Sequence, residues 1–220
     1  MCPDRMSGSL AVYGGTFDPV HYGHLRSAIE IWQALCVDTV CLVPSYLPPH
    51  RQQPDSTPEQ RLEMLRLAID GHVGLRIDDR EIKRKGPSFM VETLESIRQD
   101  VGADASLSLV LGSDAFAIFS EWRRWEDIIE IAHLVVLERP GYTLADAPQP
   151  LLDWSLSRWV ESPQELLKTA AGKMTSLRVT QLEISATMIR DQINVGLAID
   201  YLLPEKVQDY ISQQKLYSTP

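Results

Sequence analysis

Apolar positions along this chain switch between the period of a strand and that of a helix, and the switch points delimit its elements. Residues 10–13 form a short apolar run that stops at Gly14-Gly15. Leu25, Ala28, Ile29, Trp32 and Leu35 then recur at helical spacing. The reading is strand, glycine turn, helix. Residues 39–43 (TVCLV) are largely apolar and β-branched and stop at Pro44, which supplies a second strand and closes a βαβ unit with parallel strands. The loop that follows, residues 45–56 (SYLPPHRQQPDS), holds three prolines and cannot be helical. A helix then starts at Thr57-Pro58-Glu59-Gln60, with Thr57 as N-cap, Pro58 at the first helical position and Gln60 as capping-box partner.

The alternation continues with a weak strand at 75–78, a helix at 90–98, and a buried-type strand at 106–111 (SLSLVL) ending in Gly112-Ser113-Asp114. A helix at 125–131 and a fifth strand at 133–137 follow. Residues 140–163 hold four prolines and keep no period. They are expected to form an excursion outside the main sheet, packed down by Trp154 and Trp159. A late strand near 177–179, a helix at 186–194 closed by Gly196, and a terminal helix from about 204 to 214 complete the chain. Strands separated by helices of this size predict a Rossmann-like α/β fold, a doubly wound and mostly parallel sheet with helices on both faces. Residues 1–220 are expected to be one domain, with 140–163 as its excursion and 180–220 as a C-terminal helical part.

Composition narrows the function classes. The 220 residues are 44% hydrophobic and 23% charged, ordinary globular usage that excludes a disordered or filamentous chain. The formal charge is −9, spread evenly, with 11 basic and 15 acidic side chains in residues 1–110 and 10 and 15 in residues 111–220. With no basic tail or stripe, neither nucleic acid nor an anionic membrane is an expected partner. Cys2, Cys36 and Cys41 are odd in number and lack a CxxC spacing, which argues against a disulfide framework or a cysteine-ligated zinc. Three reduced cysteines in a cytoplasmic protein are expected. The first nine residues carry no signal-type apolar core, and the most apolar stretch, 128–137, is interrupted by Glu130 and His133.

In an open parallel sheet the ligand crevice lies beyond the carboxyl ends of the strands. The loop after the first strand reads Gly14-Gly15-Thr16-Phe17-Asp18-Pro19-Val20-His21-Tyr22-Gly23-His24. Its glycines allow a tight turn and a close ligand approach, and His21 and His24, three apart at a helix start, share a face. Free amides and partial positive charge at that helix end suit phosphate, and two imidazoles add donors. Capping and packing is the alternative for the pair, and a metal pair completed by Asp18 or His50 is a third reading. The dinucleotide-binding G-x-G-x-x-G is absent. The late segment Ile184-Ser185-Ala186-Thr187-Met188-Ile189-Arg190 places Ser185 as an N-cap and Arg190 on the face of Thr187. Arg190 there is either a clamp on a triphosphate tail or a surface arginine after an ordinary cap.

Together GGTFDPVHYGH and ISATMIR resemble the HxGH and ISxTxxR signatures of the HIGH-type nucleotidyltransferases. Within that superfamily the chain resembles the bacterial nicotinate-nucleotide adenylyltransferases. The match extends from Gly14 to Tyr217 and includes Pro48-Pro49-His50-Arg51, Gly86-Pro87-Ser88-Phe89, Gly112-Ser113-Asp114, Trp122, Arg139-Pro140-Gly141 and the LLPE segment.

The resemblance implies adenylyl transfer from ATP to nicotinate mononucleotide, giving deamido-NAD and pyrophosphate in NAD biosynthesis. Attack would be direct and in line, with Mg²⁺ accompanying ATP and no covalent enzyme intermediate. It assigns His21, His24 and Arg190 to catalysis. Gly14, Gly15, Thr16, Phe17, His21, His24, Ser185, Thr187 and Arg190 would bind ATP. Thr16, His50, Arg51, Ser88, Asp114, Trp122 and Arg139 would bind the mononucleotide, with Asp114 on a ribose hydroxyl and Trp122 stacked on the pyridine ring. Read alone, Trp122 is more simply a core residue, and His50-Arg51 are either a lid over anions or a solvated loop. After Gly86-Pro87-Ser88 the family usually has Tyr-Thr, and this chain has Phe89-Met90. The loss of two hydroxyls predicts altered discrimination between acid and amide mononucleotides, with backbone N–H groups or Arg123 left to hold the carboxylate. Same-fold transferases acting on phosphopantetheine or nicotinamide mononucleotide are the rival enzymes. A non-catalytic nucleotide-binding module is the rival from another class.

Overall fold

The computed structural model describes residues 8–48, 53–138 and 147–218. Six strands, β1 (Leu10–Gly15), β2 (Thr39–Pro44), β3 (Leu75–Ile77), β4 (Leu107–Gly112), β5 (His133–Glu138) and β6 (Met174–Arg178), form one sheet of order β3-β2-β1-β4-β5-β6. Every neighbouring pair is parallel. The helices are α1 (Tyr22–Leu35), α2 (Pro58–Ile69), α3 (Arg80–Arg84), α4 (Met90–Val101), α5 (Ser113–Ala117), α6 (Trp125–Ile131), α7 (Gln149–Ser155), α8 (Ala186–Asn194) and α9 (Glu205–Gln214).

A parallel sheet covered on both faces needs strands that are apolar throughout, because alternate side chains enter opposite layers. In β1, Ala11 and Tyr13 enter the layer packed by α1, α2, α8 and α9, while Leu10 and Val12 enter the layer packed by α4, α6 and α7. In β4, Val110 joins the first layer and Leu109 and Leu111 the second. The doubly wound fold expected from the sequence is therefore the fold observed.

Local chemistry explains the sharpest boundaries. The Thr57 side chain accepts from the Gln60 amide and the Gln60 side chain accepts from the Thr57 amide, so the capping box forms as read. Helices α6 and α8 have the predicted bounds. Two readings change. The last strand runs from Met174 to Arg178 rather than 177–179, because it is a sheet-edge strand whose Thr175 and Ser176 mask the apolar pattern. The expected excursion holds a helix, α7, besides the two tryptophans expected to pack it down: Trp154 lies 4.8 Å from Trp125, and the Trp159 indole donates to Ser155 Oγ at 3.0 Å. Cys41 is free and buried.

Candidate active site

Strands β1 and β4 lie side by side, yet the chain leaves them toward opposite edges of the sheet. Their carboxyl ends therefore border the crevice typical of doubly wound sheets. The β1–α1 loop follows the first of them, and α5, carrying Asp114, follows the second.

In the β1–α1 loop, Phe17 adopts φ 53° and is buried. Its ring meets His24 edge-on at 5.0 Å and Tyr13 at 6.2 Å, so the side chain supports His24 from below and only its backbone is left for a ligand. His21 is the N-cap of α1, 5% exposed, and its imidazole lies 3.8 Å from that of His24. The shared face expected from the spacing is present, with His24 the more open of the two. The Tyr22 amide donates to the Leu202 carbonyl at 3.0 Å, which docks the LLPE segment on the head of α1.

Gly23 explains how the two sequence signatures meet. A Cβ there would fall 2.9 Å from the His21 ring and 3.3 Å from the Ile184 carbonyl oxygen, so only glycine lets the loop before α8 pack this closely. Ser185 Oγ accepts from the Met188 amide at 3.1 Å, the cap expected, and Ser185 and Thr187 are exposed. Arg190 reaches across rather than along its own helix. Its Nη1 donates to the Asp18 carbonyl at 2.8 Å and its Nε pairs with the Asp55 carboxylate at 2.6 Å.

Other predicted residues are placed by a second set of contacts. Ser88 Oγ accepts from the Tyr46 amide at 2.8 Å, and the Ser88 amide donates to the Leu47 carbonyl, so Ser88 ties the β2 loop to the head of α4. Met90 caps the turn of β1, its terminal methyl 2.7 Å from where a Cβ on Gly14 would lie. The Arg123 guanidinium sits 4.6 Å over the Phe89 ring and pairs with Glu92 at 3.3 Å, which joins the Trp122 segment to the departure from the family pattern. Trp122 is half-buried, 5.5 Å from Phe119. Asp114 lies in the first turn of α5. His50, Arg51 and Arg139 lie outside the described residues.

Sequence reasoning missed Arg61. It is fully buried, and its guanidinium donates to the carbonyls of Thr16 (2.9 Å), Ser45 (2.6 Å) and Tyr46 (3.1 Å), binding the first and second strand loops together. Burial pushes its pKa down, opposed by the nearby Asp18 carboxylate. The signal was present: Arg61 shares the core-facing stripe of α2 with Leu62, Met64 and Leu65. Among the described residues no group of three or more His, Cys, Asp or Glu is arranged to hold a metal ion. No helix among them is long and apolar enough to cross a membrane.

Known proteins resemble this chain in both sequence and fold. The cytidylyltransferase-like family matches residues 12–192. A relative from Hahella chejuensis named "probable nicotinate-nucleotide adenylyltransferase" is 42% identical over 94% of this chain and 95% of its own. One from Yersinia pestis is 40% identical over 94% of both chains. This chain belongs to the nicotinate-nucleotide adenylyltransferase family. The fold likeness extends to solved structures. The Plasmodium falciparum nicotinic acid mononucleotide adenylyltransferase complexed with NaAD superimposes with a TM-score of 0.70 at 16% identity, covering 95% of this chain and 97% of that one. The same enzyme complexed with APC gives a TM-score of 0.67. Family membership makes the chain a nucleotidyltransferase, and the HYGH and ISATMIR segments lie within the matched span.

Proposed function

We propose that this chain transfers the adenylyl group of ATP to nicotinate mononucleotide, releasing pyrophosphate and forming deamido-NAD. The observation that carries the reading is the contact of Gly23 with Ile184 and of Arg190 with Asp18, which brings both signature segments to one crevice. In this reading a phosphate oxygen of the mononucleotide attacks the α-phosphorus of ATP, the bond to the β-phosphate breaks, and pyrophosphate carries away the charge. No protein nucleophile is needed, so the protein contributes alignment and charge stabilisation.

His24, partly open and braced by Phe17, stabilises charge on the α-phosphate, and the more buried His21 orients it. The Gly14, Gly15, Thr16 and Phe17 backbone lines the phosphate path, and Arg190, Ser185 and Thr187 hold the β- and γ-phosphates. Arg61, locked beneath the Thr16 and Ser45 carbonyls, adds a fixed positive charge under the loops. Asp114 accepts from a ribose hydroxyl, Trp122 stacks on the pyridine ring, and Ser88 fixes the loop over it. His50, Arg51 and Arg139 are assigned to the mononucleotide's anionic groups. Among the described residues no cluster of His, Cys, Asp or Glu is arranged to hold a metal, so a divalent cation such as Mg²⁺ would come with the triphosphate and would supply charge neutralisation at the leaving pyrophosphate.

A second acceptor, nicotinamide mononucleotide, is favoured by one observation: the thioether of Met90 over Gly14, where the family pattern has a hydroxyl. Pyrophosphate release is measured with ATP and, in turn, nicotinate mononucleotide, nicotinamide mononucleotide and phosphopantetheine. The expected result is fastest release with the acid. Release with phosphopantetheine alone reassigns the acceptor, and ATP binding without release from any acceptor refutes transfer.

A further inference from the structure

The chain leaves α9 through two residues in the left-handed region, Lys215 (φ 52°) and Tyr217 (φ 63°). Tyr217 is not a glycine, and a non-glycine residue keeps such a backbone only where its contacts hold it. Those contacts are specific. The Tyr217 hydroxyl donates to Asp18 Oδ1 at 2.7 Å, in the middle of the GGTFDPVHYGH loop and 199 residues away in sequence. Ser56 Oγ donates to the same oxygen, and the Asp55 amide donates to Oδ2 at 2.8 Å. Asp18 is 4% exposed and Ser56 3%, so this carboxylate is held by three donors in a buried site with no direct cation partner among the described residues. An ionised carboxylate accepts only, and three donors suit it.

Arg190 closes the circuit. Its Nη1 takes the backbone carbonyl of Asp18, and its Nε takes the carboxylate of Asp55, whose amide is bound to Asp18 Oδ2. Thus Arg190, Asp55 and Asp18 close a ring, and the Tyr217 hydroxyl is bonded to it at Asp18 Oδ1. Burial, with Asp18 alongside, pushes the Tyr217 phenol well above its ordinary pKa, so it remains a donor at any working pH.

We propose that Tyr217, acting through Asp18, is a positioning residue that holds Arg190 and the phosphate loop in register for the nucleotide. The proposal rests on the functional reading above and adds the C-terminal tail to the active site. Tyr217→Phe keeps the ring and deletes only the donor. It is expected to lower kcat/KM for ATP by roughly tenfold or more while the mononucleotide KM stays unchanged, as for small misalignments of a reacting group. The decisive measurement is a double-mutant cycle with Arg190→Ala. If Tyr217 acts through Arg190, removing its hydroxyl costs little further once Arg190 is gone. Equal losses in both backgrounds, or no loss in either, overturn the proposal. Ser56→Ala removes the other hydroxyl on the same oxygen and is expected to give the same coupled loss, which keeps the test open should Tyr217→Phe fold poorly. The same cycle on affinity for a non-hydrolysable ATP analogue separates the two ideas. Coupling there without turnover of any acceptor refutes the assigned reaction and keeps the positioning role.

Discussion

Gly23 and His21 are packed so closely that a Cβ on the glycine would stand 2.9 Å from the imidazole ring, with the Ile184 carbonyl oxygen 3.3 Å away on the loop before α8. The ring is 5% exposed and the carbonyl belongs to the backbone, so neither neighbour yields easily. Gly23→Ala is expected to cut turnover at least tenfold, because displacement of about 1 Å at reacting groups has effects of that order or larger. Gly14→Ala is the control. Its Cβ meets the flexible end of Met90 at 2.7 Å, which can swing aside, and its activity loss is expected to be smaller. Steady-state rates of the two variants decide the comparison.

His24→Ala removes the more open imidazole of the stacked pair. Turnover is expected to fall by roughly 10²–10³-fold, the range for deleting one transition-state donor, with a smaller change in KM for ATP. Near-normal kcat in a pyrophosphate assay would remove His24 from catalysis and leave it a packing residue.

Arg190 Nε and the Asp55 carboxylate are 2.6 Å apart, and the Asp55 side chain is 61% exposed. That carboxylate is one of the two anchors that hold Arg190 for the nucleotide. Asp55→Asn is therefore expected to raise KM for ATP by roughly two- to fivefold, the scale of an exposed ion pair. The difference should shrink as ionic strength rises. An unchanged or lower KM at low salt would show that Asp55 competes with the phosphate for Arg190 instead.

Phe89 and Met90 replace the pair of hydroxyl side chains usual in the family, and Phe89 lies under Arg123. Met90→Thr is expected to raise the ratio of kcat/KM for nicotinate over nicotinamide mononucleotide, and Arg123→Ala to lower it. A half-buried hydroxyl discriminates through the group left unpaired with the wrong substrate, whereas the exposed Arg123, already paired with Glu92, contributes only its attraction for a carboxylate. If both variants keep the wild-type ratio, acid recognition rests on backbone amides.

His133, fully buried at the start of β5, accepts from the Lys173 amide at Nδ1 (3.1 Å) and donates from Nε2 to the Thr169 carbonyl (2.9 Å). This pattern suits the neutral ring, and burial lowers its pKa from the ordinary 6.5. The unfolded chain therefore takes up this proton first as pH falls. The stability contributed is complete above pH 6.5 and is lost as pH falls from there toward the folded-state pKa, at most about 1.4 kcal/mol per pH unit. Urea unfolding at pH 7.5 and 5.5 should show a larger loss in the wild type than in His133→Gln. Equal losses would assign the acid sensitivity to other groups.

Much of this architecture is legible from local pattern, because parallel strands buried on two faces must read as unbroken apolar runs and capped helices announce their first turn. The strand–glycine–helix unit at Gly14–Gly15, the capping box of Thr57 and Gln60, and the Ser185 cap all rest on interactions within a few residues, and all are observed. The His21–His24 pair is of the same kind, since helical spacing alone puts the two side chains on one face. What the sequence alone could not decide are relationships between groups far apart in the chain. Arg61 reads as one more helical charge until the fold places it beneath the carbonyls of Thr16, Ser45 and Tyr46. Tyr217 reads as a tail residue until α9 carries it back to Asp18. Buried polar groups need partners, and which partners they meet depends on how the layers pack. Local pattern marks the glycine turn, the histidine pair and the capped helix; tertiary packing decides what holds Arg190 and the loop in place.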